Sequence, residues 1–152
     1  MRVKNKRILF VCTGNTCRSP MAEIILKNKI KLAGLKGVRV TSAGLTAVPD
    51  DKMSKNSQQA LKKLGYKPYG FKSKPVDAEL LLKSDLIICM TGAHKSYIKG
   101  FPNVYTVNEI TGLGDVPDPY GGDLNLYIKT SHVIEDACNV ILEKLINLKG
   151  EK

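Results

Sequence analysis

The chain has 152 residues, of which 43% are apolar, and this size and composition predict a single domain over residues 1–152 with a substantial core. Its net charge of +10 favours anionic partners, but the lysines are scattered along the chain, so we expect no nucleic acid partner. No apolar run approaches the ~18 residues of a membrane span, and the cysteines fit neither a secreted disulfide framework nor a zinc site. We therefore expect a monomer in the reducing cytoplasm, with no membrane attachment.

Strands and helices alternate along the first half of the chain. Residues 8–12 form a continuous apolar run, which is typical of a strand covered on both faces. A helical repeat of apolar residues follows, and residues 38–42 alternate and are β-branched, which predicts a second strand. We expect Asp50 or Asp51 to cap a further helix that runs through Leu64.

The same alternation continues in the second half and defines the fold class. Because strands separated by helices form parallel βαβ units, the pattern predicts an α/β fold: an open four-stranded parallel sheet with helices on both faces. Ligands of such sheets bind at the carboxyl ends of the strands, where Cys12 lies. The expected elements are a helix over residues 78–83, a strand over 85–90, a helix from Thr91 to before Gly100, a weaker strand over 103–107, a loop over 109–122 and a last helix over about 123–148.

The stretch "RILFVCTGNTCRSPMAE", residues 7–23, carries the strongest chemical signal. A loop between a strand and a helix N-terminus presents backbone N–H groups that bind anions, and Gly14 and Asn15 suit its tight turn. In that positive field we expect the pKa of Cys12 to fall, which would make it a nucleophile. Arg18 can grip two phosphate oxygens, and Ser19 can donate its hydroxyl to the thiolate.

Phosphoryl transfer through a cysteine also needs an acid to protonate the leaving group, and "DVPDPYGGD" in the long loop supplies candidates. Two prolines hold Asp118 stiffly, and Tyr120 next to it offers an apolar wall. Asp115 and Asp123 are alternatives, because an aspartate in a loop rich in proline and glycine is often only a turn residue.

Three motifs, "VCTGNTCRSPMAE", "SAG" at residues 42–44 and "DPYGG" at residues 118–122, together resemble the low-molecular-weight protein tyrosine phosphatase family over nearly the whole chain. The resemblance implies a protein phosphatase that acts on phosphorylated proteins through a phosphocysteine intermediate, without metal or cofactor. It implies that Cys12 is the nucleophile, Arg18 the phosphate clamp and Asp118 the general acid and later the base. It also implies substrate-binding or supporting roles for Thr13, Gly14, Asn15, Thr16, Cys17, Ser19, Ser42 and Tyr120.

Two departures from the tyrosine phosphatase pattern bear on the substrate. Thr16 stands where those enzymes usually carry an aliphatic residue, and Gly121 replaces a second aromatic residue after the acid. With "CMTGAHK" at residues 89–95, both departures resemble the bacterial protein-arginine phosphatase branch, although that branch more often has Phe at the position of Tyr120. The resemblance implies a preference for phosphoarginine, with phosphotyrosine as the alternative.

Two other functions are compatible with a phosphate-binding loop. Thioredoxin-coupled arsenate reductases of the same fold need further cysteines for a disulfide relay. Here Cys89 lies on a strand with no second cysteine soon after it, and Cys138 lies on the inner side of the last helix. A non-enzymatic phosphate-binding module would bind phosphate without releasing any from a phosphopeptide.

Several other residues have structural interpretations. Cys17 is either inert packing or the partner of Cys12 in a reversible disulfide, and the family resemblance favours the disulfide. We expect both histidines to be solvent-facing residues on helices and three of the methionines to lie in the core; these residues are His94, His132, Met21, Met53 and Met90.

Overall fold

The computed structural model describes residues 2–148, which form four strands and six helices. In chain order they are β1 (Arg2–Cys12), α1 (Arg18–Leu32), β2 (Lys36–Gly44), α2 (Lys55–Lys63), α3 (Ala78–Lys83), β3 (Leu86–Cys89), α4 (Gly92–Tyr97), β4 (Val104–Thr106), α5 (Val107–Thr111) and α6 (Leu124–Leu148).

The four strands form one sheet in the order β2-β1-β3-β4, and every neighbouring pair is parallel. Phe10, near the end of β1, pairs with Ser42 of β2 on one side and with Ile88 of β3 on the other. The chain proceeds from β1 outward to β2 and then returns to the opposite side of β1 to form β3. Such a reversal opens a crevice at the carboxyl ends of the two central strands, which is where open α/β sheets bind ligands. The predicted fold class is confirmed.

Helices cover both faces of the sheet because side chains alternate along each strand. Ile8, Phe10 and Cys12 of β1 face a core that includes buried residues of α1, α2 and α6. Leu9 and Val11 face the opposite side and pack in a second, smaller cluster with residues of α3 and β3. Residues 8–12 of β1 are therefore buried on both faces, as their continuous apolar run predicts. The three methionines expected in the core are buried.

Helix α2 begins at a different capping residue from the one that the sequence predicts. Ser54 caps this helix by accepting a hydrogen bond from the Ser57 backbone N–H at 3.2 Å, so neither Asp50 nor Asp51 does so. Asp50 instead occupies a left-handed backbone conformation with φ of 66°. A short aspartate side chain tolerates that conformation, and the sequence pattern did not distinguish a turn aspartate from a capping one.

The loop expected over residues 109–122 also differs from the prediction. Its beginning belongs to α5, which a capping box starts directly after β4: Thr106 accepts from the Glu109 N–H, and the Glu109 carboxylate accepts from the Thr106 N–H, both at 3.0 Å. Gly112 then ends the helix in the left-handed conformation, with φ of 73°. Only residues 112–123 separate α5 from α6.

The long helix α6 packs on α1 and α2 and completes the larger core through residues such as Ile134, Ala137 and Ile141. Leu126, near its start, is 41% exposed, whereas the neighbouring Tyr127 is buried. No helix within residues 2–148 is long and apolar enough to cross a membrane.

Candidate active site

The loop after β1 is held against the end of β2. Cys12 is the last residue of β1, and α1 begins at Arg18 after a five-residue turn in which Asn15 has φ of 56°. Gly44 lies against the back of this turn: a Cβ atom there would sit 2.6 Å from the Thr13 carbonyl oxygen and 2.8 Å from the Asn15 nitrogen. The absence of a side chain at Gly44 therefore allows the loop to lie close to the neighbouring strand.

A buried hydrogen-bond network fixes the inside of the loop. The Asn15 side-chain amide donates to the Ser19 hydroxyl at 2.8 Å and to the Ser42 hydroxyl at 2.9 Å, and its oxygen accepts from the Lys74 backbone N–H at 3.0 Å. Ser42 in turn donates to the buried Glu23 carboxylate at 2.8 Å. Because both N–H groups of the Asn15 amide donate and its oxygen accepts, its orientation is determined, and with it the shape of the loop.

The network ends at the thiol of Cys12, whose sulfur lies 2.7 Å from the Ser19 hydroxyl oxygen. That oxygen already accepts from Asn15, so the single hydroxyl proton of Ser19 is free to point at the sulfur. Burial is the largest influence on Cys12 and raises its pKa above the ordinary 9.0, while the Ser19 hydroxyl, the Ser19 and Asn15 backbone N–H groups and the Arg18 charge lower it. The sequence-based expectation of a lowered pKa considered only the positive field and left out the cost of burying a charge.

Arg18 places its guanidinium over the same loop and is buried. One terminal nitrogen donates to the Val116 carbonyl at 3.1 Å, and the other lies 3.7 Å from a carboxylate oxygen of Asp118. Asp118 is 52% exposed, and its second oxygen accepts from the Tyr120 backbone N–H at 3.0 Å. The loop between α5 and α6 thus brings a carboxylate to the guanidinium.

The two alternative aspartates have other partners. Asp115 accepts from the Gly92 backbone N–H at 3.2 Å, which ties the loop to the start of α4, and Asp123 accepts from the Leu126 N–H at 2.9 Å at the start of α6. Only Asp118 among the three lines the pocket above Cys12, which has a volume of about 280 Å³. The residues that line it are Cys12, Thr13, Gly14, Thr16, Cys17, Arg18, Asp118 and Tyr120.

Comparison with known proteins identifies this arrangement. A family model described as low molecular weight phosphotyrosine protein phosphatase matches residues 7–150. The chain belongs to this family. It is accordingly a cysteine-dependent phosphatase, of a family that acts on phosphorylated proteins.

The relatives include enzymes with two different names. The chain is 38% identical to a protein-arginine-phosphatase of Bacillus subtilis (strain 168), over 91% of this chain and 95% of that protein. It is 36% identical to the low molecular weight protein-tyrosine-phosphatase PtpB of Staphylococcus epidermidis, over 89% of this chain and 96% of that protein. A solved structure of a mutant of the arginine phosphatase YwlE, with a phosphorylated active-site serine, superposes with a TM-score of 0.86 at 36% identity, covering 92% of this chain and 95% of that one.

The sequence-predicted phosphatase residues all lie in or beside the pocket. Thr16 is half-buried at its wall, and Tyr120, 82% exposed, forms part of its rim. Cys17 is buried, and its sulfur lies 3.5 Å from the Ser54 hydroxyl oxygen and 3.6 Å from that of Tyr127. Cys12 and Cys17 are both free thiols, so the reversible disulfide stays a prediction. Among residues 2–148, no three His, Cys, Asp or Glu side chains gather as a metal site.

His94 also lies at this site, although the sequence pattern predicts a solvent-facing residue. It is 5% exposed; one ring nitrogen, Nε2, lies 2.9 Å from the Thr13 hydroxyl and 3.5 Å from the guanidinium of Arg18. The signal was its position just after β3, because the carboxyl ends of adjacent parallel strands meet at one edge of the sheet. His132, the second histidine, is exposed as expected.

Proposed function

We propose that this phosphatase is a protein-arginine phosphatase in which Cys12 is the nucleophile, Arg18 binds the phosphoryl oxygens and Asp118 is the general acid and base. The burial of Cys12 and Arg18 in one pocket, with Asp118 at its mouth, supports these roles. The remaining loop residues would supply backbone N–H groups to the phosphoryl oxygens and hold the loop in shape.

The proposed reaction has two phosphoryl transfers. The Cys12 thiolate attacks phosphorus, an S–P bond forms, the P–N bond breaks, and the departing guanidine nitrogen takes a proton from Asp118. Water then attacks the phosphocysteine and gives its proton to the Asp118 carboxylate. The S–P bond breaks, inorganic phosphate leaves, and the Cys12 thiolate is restored. The Ser19 hydroxyl, 2.7 Å from the sulfur, stabilises the thiolate before attack and after its release.

The observation that carries the choice of substrate is the pocket wall at Thr16. Thr16 is half-buried at that wall, and its hydroxyl oxygen lies 3.8 Å from the Cys17 sulfur. The leaving group of phosphoarginine has N–H groups that a hydroxyl at this wall can accept from, whereas a phenyl ring has none. Gly121 leaves Tyr120 as the single aromatic residue after the acid, which gives a flat ring an incomplete sandwich. Overall identity does not separate the two substrates, since arginine and tyrosine phosphatases are similarly close.

The test is a comparison of kcat/KM on matched peptides that carry phosphoarginine or phosphotyrosine. We expect the wild-type chain to prefer phosphoarginine, and we expect Thr16→Val, which removes the hydroxyl and keeps the shape, to lower kcat/KM on phosphoarginine at least about 5-fold. Thr16→Ser keeps the hydroxyl and serves as the matched control. A strong wild-type preference for phosphotyrosine would reverse the assignment.

Two further features of the site bear on where and how the chain acts. We infer a reducing cytoplasm, because Cys12 must be a thiol to react, and a monomer, because one chain supplies all the residues named in the mechanism. Arsenate reduction is disfavoured by the position of the other cysteines. Cys138 is buried in the larger core, and Cys89, although it pairs with Val11 next to Cys12, packs in the smaller cluster on the opposite face of the sheet.

A further inference from the structure

His94 is a buried polar residue at the catalytic pocket with no role in the mechanism above. It belongs to α4, which two residues separate from β3, and Thr91 caps this helix. One ring nitrogen, Nδ1, lies 3.0 Å from the Thr91 hydroxyl oxygen. The other, Nε2, faces the Thr13 hydroxyl and the nearer terminal nitrogen of Arg18. The imidazole therefore bridges the end of β3 and the loop after β1.

The identity of these neighbours determines where the imidazole carries its proton. A guanidinium has only donors, so the nitrogen that faces Arg18 must be an acceptor. Nε2 is then unprotonated, the ring proton sits on Nδ1 and points to Thr91, and the Thr13 hydroxyl can donate to Nε2 as well. Burial first, and then the charge of Arg18, lower the pKa of His94 to about 4, against the opposing effects of Asp118 and Asp115. At neutral pH the ring is an uncharged acceptor.

We propose that His94 is a positioning residue that holds the Arg18 guanidinium over the phosphoryl site, an inference that rests on the phosphate-binding role proposed for Arg18. His94 and the Val116 carbonyl accept from different terminal nitrogens of the fork and so fix its plane. Both acceptors are neutral, so neither competes as an ion pair for the charge that must bind phosphate. The carboxylate of Asp118, at 3.7 Å, stays outside hydrogen-bond distance of the guanidinium.

The contact between Nε2 and Arg18 is 3.5 Å, which is long for a hydrogen bond. Its function is to orient the guanidinium more than to bind it strongly. As phosphorus passes through its five-coordinate state, a guanidinium that is already oriented toward the equatorial oxygens stabilises their charge without reorganising. The acceptor at Nε2 disfavours rotation of the fork away from that orientation. Misplacement of a binding group by about 1 Å can cost a large factor in rate, so such an acceptor affects turnover more than ground-state binding.

The experiment compares two substitutions that keep different halves of the imidazole. His94→Asn places its amide near Nδ1 and loses the contact to Arg18, while His94→Gln reaches the position of Nε2 and can keep an acceptor there. We expect His94→Asn to lower kcat about 10-fold with KM changed less than about 2-fold, and to weaken vanadate, a mimic of the five-coordinate state, by a similar factor. His94→Gln should recover most of both losses, and His132→Asn, on the exposed face of α6, is the control.

Three results would overturn the inference. The first is that His94→Asn has the kinetics and vanadate affinity of the wild-type chain. The second is that His94→Asn and His94→Gln, both folded, lose the same factor in kcat. The third is that Thr13→Val reproduces the whole loss, which would mean that His94 acts through Thr13. If no phosphopeptide is turned over by the wild-type chain but vanadate binding still falls in His94→Asn, the proposed function fails and the role of His94 stands.

A measurement on the wild-type chain tests the same point without any variant. The chain has only two histidines, so long-range ¹H–¹⁵N spectra contain two sets of ring signals, and the His132→Asn variant assigns them. At pH 7 we expect the His94 ring to carry its proton on Nδ1 alone. A proton on Nε2 would place a donor against a donor and would overturn the proposal.

Discussion

Cys12 lies between two opposing effects that decide how readily it ionises. Burial disfavours the charged thiolate, while the Ser19 hydroxyl, two backbone N–H groups and the Arg18 charge favour it. Apart from the Ser19 hydroxyl, the lowering contributions come from groups to which we assign binding of the substrate's oxygens. Thiolate formation and phosphate binding therefore depend on the same loop geometry, and a variant that disturbs the loop will lose both together.

The choice of general acid can be tested at single residues. Asp118→Asn removes the proton donor at the pocket mouth and should lower kcat at least about 100-fold while phosphate still binds. Asp115→Asn keeps an acceptor for the Gly92 backbone N–H and changes no residue that lines the pocket, so it should retain most of the activity. Steady-state kinetics of both variants, with phosphate inhibition constants, give the answer. An inactive Asp115→Asn beside a nearly normal Asp118→Asn would mean that the other aspartate is the acid.

Local chemistry identified most of the pocket residues but not their supports. The spacing of Cys12 and Arg18 across a strand-loop-helix junction has few other uses, so both were found from sequence. Glu23 on α1 accepts from Ser42, and His94 on α4 contacts Thr13 and Arg18. Both residue types are common on ordinary helices. A long-range partner leaves no local pattern, which is why His94 was wrongly expected at the surface.

At the scale of elements, the end of β2 acts as a template for the loop after β1. Gly44→Ala would place a methyl group within 3 Å of backbone atoms of Thr13, Gly14 and Asn15, none of which can move without the loop. We expect a loss of about 1–3 kcal/mol in the free energy of unfolding, together with a large loss of kcat. Urea denaturation and steady-state kinetics measure the two effects.

Gly92→Ala provides the matched control for that substitution. Both glycines lie at the carboxyl end of a strand: Gly44 ends β2, and Gly92 follows β3. A Cβ atom at Gly92 would have no heavy atom within 4 Å, and Gly92→Ala keeps the backbone N–H that donates to Asp115. Stability should change by less than about 0.5 kcal/mol. If Gly44→Ala and Gly92→Ala had the same stability and the same kcat, close packing of the loop after β1 against the end of β2 would not be what shapes the site.

Element types were more predictable than element limits. Apolar runs and helical repeats identified the four strands and the main helices, because burial on a sheet imposes those periods. The start of α2 could not be predicted because both Asp50 and Ser54 are residue types that cap helices. The existence of α5 depended in the same way on whether Thr106 caps a backbone N–H. The fold decides among them by bringing one side chain to the right backbone.

For the whole molecule, the strand order explains why residues far apart in sequence share one site. Residues after β1, at the end of β2 and after β3 meet at one edge of the sheet, and the loop before α6 closes over them. The sequence predicted a parallel sheet from the alternation of elements. The order of the strands, and hence the approach of His94 to Arg18, follows from how the helices pack on the two faces, which the linear pattern does not contain.

His94 also ties the stability of the whole molecule to pH. The pKa of its ring falls from 6.5 to about 4 on folding, so between those values the unfolded chain binds more protons, and this group makes stability decrease as pH falls from 6.5 towards 4. Its contribution to the slope is at most about 1.4 kcal/mol per pH unit. Carboxylates and other groups titrate in the same range, so the wild-type slope alone is not informative.

The difference between wild type and His94→Asn isolates the contribution of this ring. Free energies of unfolding from urea titrations at pH 4 to 7 should fall more steeply with acid for the wild-type chain than for His94→Asn, so that the stability gap between the two proteins narrows as pH drops. His132→Asn should run parallel to wild type more closely than His94→Asn does. Parallel curves for wild type and His94→Asn would mean that the ring is not held neutral in the folded protein. The tautomer in which unprotonated Nε2 faces Arg18 would then lose its support.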